Sequence, residues 1–164
     1  MPHIHSFPPV SRPDATVLIL GSMPGNISLQ QQRYYAHPSN VFWKIMGELV
    51  SADPALPYEM RLEVLQQSAI ALWDVLASCQ RESSLDAHIR GEAANDFASF
   101  FARHPQISHV YFNGSKAEQS FNKFVLGKQA LPPLQLSRLP STSPAHAGMR
   151  YPEKLAAWRA ILQR

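Results

Sequence analysis

The sequence predicts an α/β fold, a three-layer α/β/α sandwich around a central, mostly parallel four-stranded sheet. Three observations carry that prediction. Four short apolar runs are spaced along the chain, helical patterns lie between them, and a polar loop follows each run. Parallel strands need crossover connections, usually helical, and a parallel sheet must be covered on both faces.

The apolar runs read as strands at 16–20, 68–72, 109–112 and 134–138, with Pro132-Pro133 shaping entry to the last. The first is continuously apolar from Val17 to Leu20, as a strand buried on both faces should be. Between them the apolar residues recur at helical spacing. The 41–50 segment places Phe42, Ile45, Met46 and Leu49 on one face, and 58–67 groups Met60, Val64 and Leu65. Asn95 is a candidate cap before Phe97, Phe100 and Phe101 in a helix ending at 103. A helix at 116–125 carries Ala117, Phe121 and Phe124. The last, 151–163, has Pro152 in its first turn and would bury Leu155, Trp158 and Leu162.

A chain of 164 residues suits one domain that buries roughly 70% of its unfolded surface. The first thirteen residues hold four prolines and two histidines and read as an extended arm, leaving 14–164 as the domain. Hydrophobic content of 45% with 16% charged residues excludes a disordered chain. No apolar run approaches the roughly 20 residues that span a bilayer, and no signal-peptide pattern opens the chain, so a cytoplasmic location and no membrane partner are expected. A single cysteine, Cys79, excludes an intrachain disulfide and reads as a reduced thiol rather than a nucleophile. Fifteen Lys and Arg against twelve Asp and Glu give +3, which is compatible with nucleic acid without establishing it. The histidines are scattered, and neither a metal-ligand spacing nor a nucleotide-binding glycine motif is present, so neither metal nor cofactor is expected.

The topology would bring four loops to one rim. They are Gly21-Ser22-Met23-Pro24-Gly25, Trp73-Asp74-Val75-Leu76, Asn113-Gly114-Ser115-Lys116 and Leu139-Pro140-Ser141-Thr142-Ser143-Pro144. Ligands of such sheets sit outside the carboxyl ends of the strands. The first loop leads on to Tyr34-Tyr35-Ala36-His37-Pro38-Ser39-Asn40, whose aromatics and amide suit a flat, polar heterocycle.

These motifs resemble the uracil-DNA glycosylase superfamily. Ala36-His37-Pro38-Ser39-Asn40-Val41-Phe42-Trp43-Lys44 is similar to its mismatch-specific uracil/thymine branch. Leu139-Pro140-Ser141-Thr142-Ser143-Pro144-Ala145-His146-Ala147 and Ala71-Leu72-Trp73-Asp74-Val75-Leu76-Ala77-Ser78-Cys79 look more like the hypoxanthine (deoxyinosine) branch. The resemblance covers about 16–162 and implies a glycosylase-like fold, DNA containing deaminated bases as partner, and excision of a base flipped out of the helix. Three departures accompany it, one of them Leu139, where uracil-specific enzymes often place a histidine or asparagine. Met23 stands where the mismatch-specific branch has a water-positioning asparagine, and Ser22 lacks the usual Asp or Asn. The hypoxanthine branch shares that weakened first motif, which implies that Asn40 takes the main catalytic role.

Each candidate also has a plainer reading. Tyr35 stands where the family stacks an aromatic on the flipped base, with Tyr34 as a substitute, or both simply pack the loop. Asp74 stands where uracil readers use asparagine. A carboxylate there accepts the N1–H of hypoxanthine and discourages adenine, while backbone N–H groups at Ser22 and Met23 serve O6. Alternatively Asp74 is a turn residue. Asn40 orients water below the sugar C1′ or stabilises the cationic sugar, or only caps the helix after it. Asn113 and Lys116 at a helix start, and Ser141, Thr142 and Ser143 in the proline-flanked loop, are candidate DNA-phosphate contacts. His146 is a candidate wedge or phosphate contact. The expected activity is hydrolytic, monofunctional release of hypoxanthine from deoxyinosine by a chain that can act as a monomer. The alternatives are a uracil or mismatch glycosylase that tolerates Met23, and a DNA-binding module of the same fold that has lost catalysis.

Overall fold

The computed structural model describes residues 3–146 and 148–162. The four runs become parallel strands β2 (Val17–Gly21), β3 (Ile70–Asp74), β6 (His109–Asn113) and β7 (Gln135–Leu139) in the order β3-β2-β6-β7. Val17 pairs with Ile70 on one side and His109 on the other, and His109 pairs with Gln135.

Alternation along β2 divides the core. Val17 and Ile19 face α2 (Phe42–Val50), α3 (Tyr58–Gln67) and Trp158 of α6 (Tyr151–Trp158). Leu18 and Leu20 face Phe97, Phe100 and Phe101 of α4 (Phe97–Arg103) and Phe121 of α5 (Ser115–Phe124). Buried aromatics on both sides complete the three layers. Helix α6 gives way to a 3-10 turn, Arg159–Leu162, rather than continuing; Gln163 lies outside the described residues.

A second, antiparallel sheet is the main addition. β1 (His3–His5), β4 (Leu76–Gln80) and β5 (Arg90–Ala94) lie in the order β1-β4-β5. Through it the proline-rich amino-terminal segment is tied to the domain, and Val10 bridges Leu72 by reciprocal backbone bonds of 2.9 Å. The predicted Trp73–Leu76 loop is corrected here, because Trp73 and Asp74 complete β3 and Leu76 opens β4. The polar stretch before Tyr34 contains a short helix, α1 (Asn26–Gln31).

The cap of α4 is also corrected. Asp96, not Asn95, accepts the Ser99 N–H at 3.1 Å, and Gln129 accepts the Phe97 and Ala98 N–H groups. Asn95 is released for another task. Its side-chain amide donates to the Asp74 carbonyl at 2.8 Å, fixing the end of β3 where the site begins.

Candidate active site

The carboxyl ends of the four parallel strands surround a cavity of about 450 Å³. Its lining includes Gly21, Ser22 and Met23 after β2, Asp74 at the end of β3, Asn113 at the end of β6, and Ser141, Thr142 and Ser143 after β7. Tyr34, Tyr35, His37 and Asn40 form another side.

Three groups meet at the floor because residue 21 is glycine. A Cβ there would sit 2.6 Å from Asp74 Oδ1 and 2.9 Å from Tyr35 Oη, closer than real Cβ atoms approach. Asp74 is 3% exposed, and its Oδ2 is buried with no hydrogen-bond partner. Burial is the main force raising its pKa to about 7; the Asp86 charge adds to it and the Arg81 guanidinium opposes it. A pKa near 7 puts the carboxyl close to its midpoint at neutral pH, and Oδ2 lacks a partner inside the protein. A buried acid in that state suits a ligand that supplies a hydrogen-bonding edge.

Tyr35 and Tyr34 separate in role. The Tyr34 ring is buried, its hydroxyl donates to the Pro8 carbonyl at 2.9 Å, and its N–H donates to Tyr58 Oη. Tyr35 adopts φ +55, a left-handed conformation that costs a bulky residue about 1–2 kcal/mol. Its ring stacks on Phe42 at 4.1 Å between centroids, and the following residue, Ala36, donates its N–H to Ser28 Oγ at 3.0 Å. Burial and the Asp74 charge push the Tyr35 hydroxyl far above its ordinary pKa, so it stays protonated; the Asn113 side chain offsets this only partly. Strain held in place by packing is common at binding sites.

Asn40 Oδ1 accepts the Phe42 N–H at 2.9 Å. That bond orients the amide, leaving Nδ2 and the second Oδ1 lone pair for a molecule in the cavity. The cap reading is corrected to this extent: the N-cap of α2 is Val41, which has no side-chain cap bond, and Asn40 closes the turn just before it.

The family model for the uracil DNA glycosylase superfamily matches residues 8–163. The chain belongs to that superfamily. It is 39% identical over 112 residues to the hypoxanthine DNA glycosylase of Methanosarcina barkeri (strain Fusaro / DSM 804), covering 68% of this chain and 71% of that one. The hypoxanthine DNA glycosylase of Methanosarcina acetivorans is 38% identical with the same coverage. A solution NMR structure from M. acetivorans, described as a candidate uracil DNA glycosylase, superposes with a TM-score of 0.79 and 31% identity over 98% of this chain and 97% of its own.

Within this superfamily fold, some predicted contacts are already engaged. Asn113 and Thr142 clamp each other: Nδ2 donates to Thr142 Oγ1 and the Thr142 N–H donates to Asn113 Oδ1, both at 3.0 Å. The Thr142 carbonyl also accepts the Val41 N–H, so Thr142 ties the last loop to α2 beside Asn40. Ser141 Oγ accepts the Ser143 N–H, and Ser143 Oγ accepts the Ala145 N–H, which stiffens the loop. Lys116 is outside the cavity lining, its ammonium 3.9 Å from Glu92 on β5. His146 is exposed and likewise outside the lining; its carbonyl accepts a bond from buried Lys154.

Sequence reasoning missed the connection between β4 and β5. Ser84, Leu85 and Asp86 line the cavity. Asp86 Oδ1 accepts the Ser22 hydroxyl at 2.7 Å, and Ser84 Oγ accepts the Asn26 N–H at 2.7 Å. Buried Arg81 donates to the Pro24 carbonyl, leaving its Nε and Nη1 without partners. The paired serines and Asp86 were a weak turn signal, and nothing in the sequence placed that turn over the first loop.

Proposed function

We propose that this DNA glycosylase releases hypoxanthine from deoxyinosine. The carrying observation is the unpartnered Asp74 carboxyl at the cavity floor. Hypoxanthine presents N1–H beside O6, so a carboxylate receives a hydrogen bond where adenine and cytosine offer only a ring nitrogen acceptor. An unmet acceptor pair is costly in a desolvated pocket, and that cost supplies selectivity. Backbone N–H groups at Ser22 and Met23 serve the carbonyl edge. The close relatives named for hypoxanthine support this reading.

Tyr35, braced from one side by Phe42, offers its ring to the flipped base, an interaction worth about 1–3 kcal/mol. Asn40 holds the attacking water beneath C1′. The water oxygen bonds to C1′ as the C1′–N9 bond breaks with its electron pair leaving on the base, and the water proton is passed to solvent or to the base. The amide acts by positioning against an oxocarbenium-like centre, not as a strong base. Ser141 and Ser143 on the stiffened loop approach the flanking phosphates. Leu85, 47% exposed on the cavity rim, is an apolar side chain suited to fill the vacated stack.

Uracil also carries an N–H between two carbonyls, so Asp74 separates hypoxanthine from adenine better than from uracil. Comparing base release from matched deoxyinosine, deoxyuridine and deoxyadenosine oligonucleotides tests the reading. Release of hypoxanthine ahead of uracil is expected; faster release of uracil, or none of either, would overturn it.

A further inference from the structure

Across the wall formed by the 34–40 segment lies a second cavity, of about 500 Å³. Tyr34, Tyr35, His37 and Asn40 line both. Its chemistry is different. Arg33 lies 5.2 Å over the Tyr58 ring, while Arg61 lies 5.4 Å from the same ring and 4.9 Å from that of Trp43. Lys44 is also in the lining, its ammonium 4.1 Å over the ring of Tyr151 just outside it, and no Asp or Glu lines the cleft. None of the three cations forms an ion pair with a carboxylate among the described residues. Burial is the main force lowering the Arg61 pKa; the Arg33 charge lowers it further, and Tyr58 and Glu59 oppose the shift.

Two guanidiniums converging on one ring without an acid between them are held together against their own repulsion by stacking and by the Arg61 bond to the Leu56 carbonyl at 3.1 Å. An anion entering there relieves that repulsion. Guanidinium groups match phosphate oxygens well, and the cleft opens directly beside the residues that line the lesion cavity.

We propose that this cleft binds the phosphodiester backbone of the damaged strand next to the flipped nucleotide, through Arg33, Arg61 and Lys44. The inference rests on the glycosylase reading for the identity of the strand, but its evidence is the cleft's own charge. The strand would leave the lesion cavity over the 34–40 wall and continue across the basic cleft, so that the wall carries the nucleotide and the cleft holds its neighbour.

The test uses the full chain and an oligonucleotide with a non-hydrolysable 2′-fluoro-deoxyinosine, with affinity measured by anisotropy across a salt series. The Arg33→Gln/Arg61→Gln double variant is expected to weaken binding by about tenfold or more and to lower the salt slope by about one to two phosphate equivalents. The maximal single-turnover rate on cleavable substrate should stay within about threefold. Lys44→Gln, at an exposed position, should weaken binding in the same direction while giving up only the ammonium's contact with the Tyr151 ring. Arg33→Lys/Arg61→Lys should recover most of the salt slope. Trimming the oligonucleotide to the deoxyinosine monophosphate should abolish the difference between wild type and the double Gln variant.

Unchanged affinity and slope in both the double Gln variant and Lys44→Gln would overturn the proposal. A difference that survives on the monophosphate would assign the cleft to free phosphate and would also overturn it. The two readings fail separately. A protein that releases no hypoxanthine but loses DNA affinity on cleft substitution refutes the substrate and keeps the cleft; normal hypoxanthine release with indifferent cleft variants does the reverse.

Discussion

The two cavities on either side of the 34–40 segment share four residues and almost nothing else. One is organised around a buried acid whose free oxygen has no partner, the other around exposed and half-buried cations resting on aromatic rings. In the first, a buried carboxyl oxygen has no partner, and on the proposed reading an ill-fitting base would leave it so and be penalised. In the second, Arg33 and Lys44 are exposed and Arg61 is half-buried, and the role proposed for them is to attract any phosphate chain and contribute affinity without discrimination. The contrast teaches how one short wall can divide recognition from grip. Substitutions on the lesion side should alter which base is released and how fast, whereas those on the basic side should alter how tightly DNA is held and how salt affects it.

The largest break in that division is expected at Asn40. Asn40→Ala removes the amide proposed to position water and should lower single-turnover hypoxanthine release on the order of 10²–10³-fold, with DNA affinity measured by anisotropy changing far less. Gly21→Ala comes next. Its methyl would have to displace Asp74 or Tyr35, so base release should fall at least about tenfold and chemical denaturation should show a loss of about 1–3 kcal/mol.

Asp74→Asn sharpens the comparison rather than breaking it. The amide still accepts from N1–H but can also donate to adenine N1, so the ratio of hypoxanthine to adenine release should fall. The substitution also bears on stability. The Asp74 pKa is raised from 3.8 to about 7, so the folded state holds this proton more tightly than the unfolded one. Stability is therefore greatest below the unfolded value and is lost as pH rises through about 7. At about 1.4 kcal/mol per unit the loss is bounded near 4 kcal/mol. Asp74→Asn should accordingly be more stable than the wild type in urea at about pH 8 and little different at about pH 4. A variant less stable at the higher pH would show that the carboxylate has a partner after all. The smallest effect belongs to Lys116→Ala. Its ion pair with Glu92 lies outside the lesion cavity, so base release should be unchanged and stability should shift by less than about 1 kcal/mol.

The parallel sheet was legible because its strands carry their own signal. Residues 17–20 and 70–73 are apolar without interruption, as burial on both faces demands. The antiparallel sheet carries no such signal. Arg90-Gly91-Glu92-Ala93-Ala94 has no β-branched or aromatic residue, and His3-Ile4-His5 is largely exposed; both are strands only because β4 pairs with them. The site divides the same way. Ser22, Tyr35, Asn40 and Asp74 lie at strand ends or in motifs and were readable as candidates, whereas the need for glycine at 21 shows only in the folded chain. Ser84, Leu85 and Asp86 were not, because their place over the Ser22 turn depends on that unrecognised sheet. Arg33 and Arg61 come from separate segments, and only the folded chain sets both over Tyr58.

The central claim is that Asp74 reads the base edge while Asn40 drives its release. The measurement that tests it most directly is single-turnover hypoxanthine release from a deoxyinosine oligonucleotide as a function of pH, for the wild type, Asp74→Asn and Asn40→Ala. Wild-type release is expected to rise through an inflection near the Asp74 pKa of about 7, the inflection to disappear in Asp74→Asn while activity persists, and Asn40→Ala to be slow at every pH. The same inflection in Asp74→Asn, or full activity in Asn40→Ala, would contradict it.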